Sequence, residues 1–238
     1  MRTLFISDLH LHSGRPDLTR ALLQFLDQQA ENCDNLYILG DLFEAWIGDD
    51  LIPEDLQPVI TRLRQLSDQG TNLFFQHGNR DFLVGQQFAE LTGCTLLPDN
   101  YIINLPTGQA LIMHGDQLCT DDIEYQAFRK QLRNPRWQQD FLSKPLPERL
   151  QIAQQLRAAS KEKNAGKSMQ IMDVNPEAVQ LALDHAFTDL LIHGHTHRPA
   201  VHQLAEGNRR IVLGDWDKTG WYLECTENGQ QLIEFDIQ

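Results

Sequence analysis

LLIHGHTHRPA, the stretch Leu190–Ala200, places three histidines at alternate positions directly after an apolar run. They are His193, His195 and His197, a third of the nine histidines in the chain. One interpretation is a polar loop at the end of a buried strand. The other is a metal site, because clustered neutral imidazoles commonly bind metals. The stretch alone leaves both open, and the rest of the chain decides between them.

The 238-residue chain has the composition of an ordinary globular protein, with 41% hydrophobic and 22% charged residues. Its length suits one large domain, or a domain with an insertion. The apolar runs are far shorter than the ~20 residues of a membrane-spanning helix. Asp8 and His10 interrupt the N-terminal segment where a signal peptide would be apolar. The four widely spaced cysteines indicate reduced thiols in a cytoplasmic protein.

The net charge of −13 argues against general nucleic-acid binding, but the charge is unevenly distributed. The segment Arg129–Lys167 holds ten Lys or Arg residues and three acids, so it carries +7 while the remainder carries −20. Charge runs of this kind are usually solvated helical faces. The alternative is a segment with a separate role in the molecule.

Apolar runs that end in polar turns alternate with segments of helical spacing, which predicts an α/β fold. The expected strands with their polar ends are Thr3–Ser7, Asn35–Asp41, Asn72–Asp81, Ala110–Asp116 and Thr188–His197. The expected helices are Leu18–Ala30, Leu56–Leu66, Phe82–Leu91 and most of Ile123–Leu183, which prolines and a glycine interrupt. After Val201, short strands are expected between turns at Gly207–Asn208, Gly214, Gly220 and Asn228–Gly229. Residues 1–120 and 175–238 are predicted to form a sandwich, with a helical insertion at 121–174.

Five predicted strand ends carry the same kind of polar motif. They are DLH (Asp8–His10), GD (Gly40–Asp41), GNRD (Gly78–Asp81), HGD (His114–Asp116) and GHTH (Gly194–His197). In open α/β sheets, ligand sites form beyond the carboxyl ends of the strands. Each motif is weak alone, because short polar turns are common. Together they predict one shared site, where the glycines let the backbone turn sharply and approach a ligand.

In this order the motifs resemble the signature of the calcineurin-like metallophosphoesterases, DxH, GDxxD/E, GNH(D/E), H and GHxH. The resemblance implies a sandwich of two β-sheets flanked by helices, with two divalent metal ions that share one carboxylate. By position in the motifs, the residues implied to hold the first metal are Asp8, His10, Asp41 and His197. Those implied to hold the second are Asp41, Asn79, His114 and His195.

A set of His, Asp and Asn ligands without thiolate favours Mn²⁺ or a similar borderline-hard ion over structural zinc. Two such ions ~3.5–4 Å apart can activate a bridging hydroxide and hold a phosphoryl oxygen. We expect His193, just before the GHTH motif, to support the site or the fold, with metal ligation as the alternative. The histidines expected to be ordinary polar residues are His12, His77, His185 and His202.

Arg80 stands where many members of the family have the histidine of GNH. That histidine can protonate a poor leaving group such as an alkoxide. Arg80 cannot, because a guanidinium stays charged, but it can bind phosphate and stabilise developing negative charge. Arginine in place of histidine therefore favours cleavage of a pyrophosphate bond, whose leaving group is itself a phosphate. In the alternative, Arg80 only positions the substrate.

Ser160, Asn164 and Lys167 lie at i, i+4 and i+7 in the insertion, on one face of a helix unless Gly166 breaks it. A hydroxyl, an amide and a cation on one stripe can bind a sugar and its phosphates. A solvated stripe is the usual explanation for such a pattern. A closer resemblance of the chain to one branch of the family favours substrate binding instead.

Six segments resemble one branch of the family, the UDP-2,3-diacylglucosamine diphosphatases of lipid A synthesis in Gram-negative bacteria. They are Phe43–Asp50, His77–Leu83, Met113–Asp122, Ser160–Ser168, Ile171–Asn175 and Leu191–His202. The resemblance implies water attack at the UMP-side phosphorus, which releases UMP and 2,3-diacylglucosamine 1-phosphate, with Arg80, Asp41 and His195 in catalysis. The substrate contacts that it implies are Asn79, Arg80, Asp122, Ser160, Asn164, Lys167 and His195.

The same resemblance implies a helical cap over the acyl chains and a cytoplasmic enzyme that is peripheral on the inner membrane. Residues that would line the cap, unless they are plain core, are Phe128, Trp137, Phe141 and Leu142, and Trp46 fits either role. We expect the +7 segment to dock on anionic lipid through residues that include Arg129, Lys130, Arg133 and Arg136. Neither a nucleic acid nor an obligate protein partner is expected.

Two other functions remain open. A phosphodiesterase or protein phosphatase for a soluble substrate would share the fold, but Arg80 and the basic insertion count against it. A non-catalytic scaffold that binds partners is expected to have lost metal ligands, and this chain has all seven.

Overall fold

Two β-sheets form the centre of the molecule in the computed structural model, which describes residues 1–164, 171 and 173–238, and of 160–164 the backbone alone. The strands are β1 (Thr3–Ile6), β2 (Asn35–Leu39), β3 (Asn72–Gln76), β4 (Thr95–Leu96), β5 (Tyr101–Leu105), β6 (Gly108–Ile112), β7 (Leu190–His193), β8 (Ala200–Gln203), β9 (Arg209–Val212), β10 (Thr219–Thr226) and β11 (Gly229–Asp236). One sheet has the order β11-β10-β1-β2-β3-β4 and the other β5-β6-β7-β9-β8.

The helices lie around the sheets, and three of them fall within residues 121–174, the predicted insertion. They are α1 (Pro16–Phe25, continued by a π-helical turn at Leu26–Ala30), α2 (Gln57–Asp68), α3 (Gln86–Thr92), α4 (Ile123–Leu132), α5 (Pro135–Leu142), α6 (Leu146–Asn164) and α7 (Pro176–Ala186). Single 3₁₀ turns lie at Glu54–Leu56, Asp116–Leu118 and Ala205–Gly207. Within the described part of the chain, no helix has the length and apolarity needed to cross a bilayer.

Strand β1 shows why the sheets stack. All four of its residues are buried, because alternate side chains enter two different cores. Phe5 packs between the sheets, in a cluster with Ile112 and Ile192 of the opposite sheet. Leu4 and Ile6 face the other way, into the core beneath α1 and α2. The continuous apolar run in the sequence is therefore a strand that is covered on both faces.

The carboxyl ends of the central strands meet at one rim. In the first sheet, β1, β2 and β3 are parallel, and in the second, β6, β7 and β9 are parallel. Two contacts join the sheets at this rim. The carbonyl of Leu39 lies 2.8 Å from Nδ1 of His114, and the N–H of His195 donates to Oδ2 of Asp8 at 2.9 Å. The predicted α/β sandwich is confirmed.

Several predicted boundaries were wrong. The third helix begins at Gln86 and not at Phe82, because Asp49 accepts hydrogen bonds from the N–H groups of Gly85 and Phe88 at its start. Gly220 lies inside β10, where the ring of Phe235 packs so closely that a side chain would collide with it. The predicted strands also missed β4 and the edge strand β5.

Prolines begin two helices that the sequence predicts only as interrupted. Asn134 and Asn175 accept hydrogen bonds from the first backbone N–H groups of α5 and α7. Pro135 and Pro176 then occupy the first helical position, where the missing N–H costs nothing. The division into a sandwich and an insertion at 121–174 stays a prediction.

Arginines attach helices α4 and α6 to the strand-end loops. Arg129 pairs with Asp116 and Asp99 at 2.7 Å each. Arg133 donates to the carbonyl oxygen of Gly78 at 3.0 Å. The expectation that Arg129 and Arg133 dock on lipid was therefore wrong, because their side chains are only 17% and 15% exposed and point into the protein.

Arg149 of α6 is a buried anchor. Its guanidinium donates to the carbonyl of Ile47 at 2.7 Å and to Asp50 at 2.8 Å, and its side chain is 3% exposed. Asp50 is 56% exposed, so this carboxylate can return to water if the arginine is lost.

We predict that Arg149→Ala lowers the free energy of unfolding by about 1–3 kcal/mol, because a buried carbonyl loses its donor and α6 loses packing. Urea unfolding of the variant and the wild type measures the change. Arg136→Ala, at an exposed position of α5, is the control and should have little effect. Equal stability of both variants would show that α6 does not depend on this anchor.

Candidate metal centre

Asp8, His10 and His197 converge at the rim. Their ligand atoms all lie within 4.8 Å of one another. Nε2 of His197 lies 3.4 Å from Oδ1 of Asp8 and 3.4 Å from Nε2 of His10. The carboxylate of Asp8 is oriented by its other oxygen, which accepts hydrogen bonds from the Ser7 hydroxyl and the His195 N–H. The remaining oxygen, Oδ1, faces the two imidazoles.

Asp41 lies between this group and a second one. Its Oδ1 accepts a hydrogen bond from the Arg80 N–H at 2.7 Å. Its Oδ2 lies 4.0 Å from Nε2 of His10 and 3.8 Å from Nε2 of His114. One carboxylate oxygen therefore faces a histidine of each predicted metal site, as a shared ligand must.

The second group contains His114, Asn79 and His195. Oδ1 of Asn79 lies 3.1 Å from Nε2 of His114, and the rings of His114 and His195 have centroids 5.0 Å apart. Nδ1 of His114 lies within hydrogen-bond distance of the Leu39 carbonyl, so Nε2 is the nitrogen that faces the site. The structure thus brings all seven predicted ligands to one rim, and Asp8, Asp41 and His114 also satisfy the distance criterion for a metal group.

Five of the seven predicted ligands have a strained backbone. Asp8, His10, Asp41, His195 and His197 all have φ between 52° and 68°, the left-handed region that costs non-glycine residues energy. They make up five of the seven non-glycine residues with positive φ in the described chain. Such strain, on the order of 1–3 kcal/mol per residue, persists where the surroundings hold it, and it concentrates at functional sites.

Glycines allow the loops to approach one another. A Cβ atom on Gly78 would overlap Asp41, and a Cβ atom on Gly194 would overlap Asp8 and Ser7. Neither position has a positive φ, so glycine is needed there because a side chain would not fit. The GNRD and GHTH motifs therefore carry glycine because the neighbouring ligand loop occupies the place of a side chain.

Asp81 holds the loop that carries Asp41. Its fully buried carboxylate accepts hydrogen bonds from four backbone N–H groups at 2.8–3.4 Å. The donors are Asp41, Leu42, Phe43 and Gly78. Burial and the nearby charge of Asp41 raise the pKa of Asp81 to about 6. The sequence placed Asp81 in the GNRD motif but did not show this role.

Two further carboxylates support the histidines. Oε2 of Glu44 lies 3.2 Å from Nδ1 of His10, and Oδ2 of Asp215 lies 3.3 Å from Nδ1 of His197. Both histidines thus turn Nε2 toward the site, and a carboxylate at the other nitrogen favours that tautomer. Although burial lowers it, hydrogen bonds from the His197 ring to the carboxylates of Asp215 and Asp8 raise the pKa of His197 to about 10. A carboxylate that follows a strand end was the only signal for Asp215 in the sequence.

The donor set fits divalent cations. Asp8 Oδ1 is buried and, among the described residues, has no hydrogen-bond partner. Although burial opposes it, the proximity of His197, with smaller contributions from His114 and His10, lowers the pKa of Asp8, so the carboxylate is ionised. An unpaired buried carboxylate oxygen beside two imidazole nitrogens is costly unless a cation is bound there.

A polar groove contains the metal centre, and an apolar cavity opens beside it. The groove includes His10, Asp41, His195 and His197 in its walls. The cavity lies between the sandwich and helices α4–α6. The residues that line both are Glu44, Asn79, Arg80 and Tyr125.

A family model for calcineurin-like phosphoesterases matches residues 1–199. The chain belongs to this family. The resemblance of the five strand-end motifs is thereby confirmed.

Relatives of this phosphoesterase align along its whole length. A protein from Cellvibrio japonicus, named UDP-2,3-diacylglucosamine hydrolase, is 50% identical over 242 residues that cover 100% of both chains. Proteins with the same name from Marinobacter nauticus and Pseudomonas paraeruginosa are 52% and 49% identical, covering 96% and 100% of this chain and 95% and 100% of their own. The closer resemblance to this branch is confirmed as well.

A solved structure of an archaeal phosphodiesterase has the same fold. It is 12% identical to this phosphoesterase and matches 99% of both chains with a TM-score of 0.50. At this low identity, the likeness concerns the fold alone.

The other predicted site residues of this phosphoesterase occupy different places. Arg80 and Asp122 line the groove, and Phe128, Trp137, Phe141 and Trp46 line the cavity. Leu142 was wrongly predicted to line it, since this side chain is not in the cavity wall and is 40% exposed. The side chains of Ser160 and Asn164, and Lys167 as a whole, lie outside what the structure describes. His193 is fully buried, with Nδ1 2.8 Å from the carbonyl of Gly194, and supports the loop.

We predict that Asp81→Ala destabilises the fold by about 3 kcal/mol or more, because several buried N–H groups lose their acceptor at once. Loss of bound Mn²⁺ should accompany this, since the loop that carries Asp41 is released. Urea unfolding and elemental analysis of purified protein measure the two effects. Asp55→Ala, at an exposed position, is the control. Full metal content in Asp81→Ala would show that Asp81 does not shape the metal centre.

Proposed function

We propose that the protein hydrolyses the pyrophosphate bond of UDP-2,3-diacylglucosamine to UMP and 2,3-diacylglucosamine 1-phosphate. The relatives that match its whole length bear the name of this activity. The reaction would serve lipid A synthesis in a Gram-negative bacterium. The site chemistry supports the same reaction class.

The observation that carries this proposal is the apolar cavity beside the metal centre. A soluble phosphoester would not need an apolar chamber walled by Trp46, Phe82, Phe128 and Trp137. Acyl chains would fill such a chamber, and burial of apolar area contributes roughly 25 cal/mol per Å². Asn79 and Arg80, which line both spaces, would then lie where the phosphate joins the lipid.

We assign two divalent ions, Mn²⁺ in preference, to the rim. Asp8, His10, Asp41 and His197 would hold one, and Asp41, Asn79, His114 and His195 the other. The ligand set without thiolate and the shared oxygen of Asp41 support this assignment. When bound, the ions would supply Lewis-acid polarisation of the phosphoryl group and a lowered pKa for water.

Protein side chains would supply orientation and charge. The leaving group of this reaction is a phosphate that needs no proton, so the guanidinium of Arg80, which lines the groove, would stabilise its negative charge. Asp41 also fixes this region, because its Oδ1 accepts the Arg80 N–H. Burial together with neighbouring His114 lowers the pKa of His195 to about 4, which keeps the ring neutral for ligation or substrate contact. Asp122, Ser160, Asn164 and Lys167 are proposed to bind the sugar phosphate.

Turnover of UDP-2,3-diacylglucosamine with added Mn²⁺, followed by identification of the products by mass, tests the proposal. We expect UMP and the lipid monophosphate in equal amounts, and no turnover after removal of metal by a chelator. A simple aryl phosphodiester is the comparison substrate. Faster cleavage of that compound would favour a soluble phosphodiesterase, and no hydrolysis of either with metal bound would favour a scaffold.

We predict that Asp41→Asn removes nearly all turnover and leaves the fold intact. Asparagine keeps the Oδ1 acceptor for the Arg80 N–H but replaces the oxygen that faces both histidines. Steady-state kinetics at saturating Mn²⁺ and the unfolding free energy measure the two outcomes. Retention of most of the wild-type turnover would contradict a shared ligand role for Asp41.

The lipid substrate suggests peripheral contact with the inner membrane from the cytoplasmic side. Of the four basic residues first considered, Lys130 and Arg136 remain exposed to solvent. Ile123 at the start of α4 is also 78% exposed and offers an apolar contact in the same insertion. Each basic residue near an anionic surface contributes roughly 1 kcal/mol, and salt screens the attraction over ~10 Å.

We predict that binding to vesicles requires anionic lipid, weakens with salt and falls in the double variant Lys130→Gln, Arg136→Gln. The control changes Arg20 and Lys218, exposed residues of the sandwich, to Gln and removes the same charge. Co-sedimentation with vesicles of defined composition measures binding. Equal binding to neutral and anionic vesicles at every salt concentration would leave apolar capture of the lipid as the mode of contact.

A further inference from the structure

One end of the polar groove takes no part in the proposed lipid contacts. His12, Arg15 and Asp217 line the groove and are absent from the wall of the apolar cavity. They come from two loops, one after β1 and one between β9 and β10. This end, which we term the outer pocket, adjoins the metal centre through Asp215, the partner of His197.

Ion pairs fix the shape of the outer pocket. The guanidinium of Arg15 donates to Oδ1 of Asp217 and to Oδ2 of Asp17 at 2.8 Å each. It also donates to the carbonyl of Asp217 at 3.0 Å, so one arginine joins both loops. Leu18 and Trp216, both 2% exposed, contribute apolar atoms to the wall. The walls are therefore preformed.

The outer pocket offers one donor and one acceptor to a ligand. Nδ1 of His12 accepts the N–H of Gly14 at 3.1 Å, so a neutral ring carries its proton on Nε2, which can donate. A Cβ atom on Gly14 would lie 2.8 Å from Cε1 of His12, so glycine is what allows this ring position. The carboxylate of Asp217 is 59% exposed and can accept from hydroxyl groups.

The charge of the outer pocket suits a neutral group. Arg15 pairs with both Asp17 and Asp217, so the balance of these three residues is negative. A second phosphate would be repelled, whereas ribose hydroxyls and an uncharged base would not. Carboxylates commonly bind ribose hydroxyls in nucleotide sites.

We propose that the outer pocket binds the nucleoside half of the substrate, a ribose with an uncharged base such as uracil. This inference rests on the proposed function. With the pyrophosphate at the metal centre and the acyl chains in the apolar cavity, the nucleoside must leave the site in another direction, and the outer pocket adjoins the metal centre there. Asp217 would accept from the ribose hydroxyls, and His12 Nε2 would donate to a ribose or base oxygen.

Titration of the Mn²⁺-loaded protein with UMP tests the inference. We expect His12→Ala and Asp217→Asn each to raise the Kd of UMP on the order of tenfold, the loss of one hydrogen bond. The Kd of 2,3-diacylglucosamine 1-phosphate and that of inorganic phosphate should stay unchanged. The matched controls are His185→Ala and Asp55→Asn, at exposed positions outside both loops.

Unchanged UMP affinity in both variants would overturn the inference. An equal loss of affinity for the lipid monophosphate would also overturn it, because that result indicates damage to the metal centre. Failure of the proposed function gives a different result: the wild-type protein would leave UDP-2,3-diacylglucosamine intact, whatever its affinity for UMP.

Discussion

Hydrogen bonds from four backbone N–H groups to the carboxylate of Asp81 determine the shape of the rim. They hold the loop after β2 against the loop after β3 and keep Asp41 in its left-handed conformation. The orientation of the Asp41 oxygens follows, since Oδ1 meets the Arg80 N–H and Oδ2 faces two histidines. A strained ligand loop persists only where surrounding contacts over-determine it, and this buried carboxylate accepts four of the hydrogen bonds that do so.

The ligands of the metal centre were predictable because each lies in a short motif at the end of an apolar run. A strand that is buried on both faces leaves such a run in the sequence, as β1 and β7 do. The first polar residue after it marks the rim. Glycines in the same motifs were interpreted as sharp turns, and the structure gives a second reason for Gly78 and Gly194, the space occupied by a neighbouring loop.

What the sequence did not show depends on contacts between distant segments. Glu44 ends the GDxxD/E motif and Asp215 follows a strand end, but their contacts with the outer nitrogens of His10 and His197 form only after the loops meet, so the local pattern does not predict these roles. Strand β5 was missed because it lies at a sheet edge, with Tyr101 and Ile102 exposed, and lacks a buried run. Pro135 and Pro176 begin helices because each follows an asparagine cap, a local signal that was available and not used.

Several arginines that contribute to the +7 charge of the predicted insertion are paired inside the protein. Arg129, Arg133 and Arg149 are directed inward, to acids or carbonyls of the sandwich, and Arg157 pairs with Glu44. Much of the charge contrast along the sequence is thus cancelled across an internal interface. The predicted insertion and the acidic residues that pair with its arginines therefore depend on each other. A chimera that exchanges the insertion between relatives would have to carry Glu44, Asp50, Asp99 and Asp116 along with it.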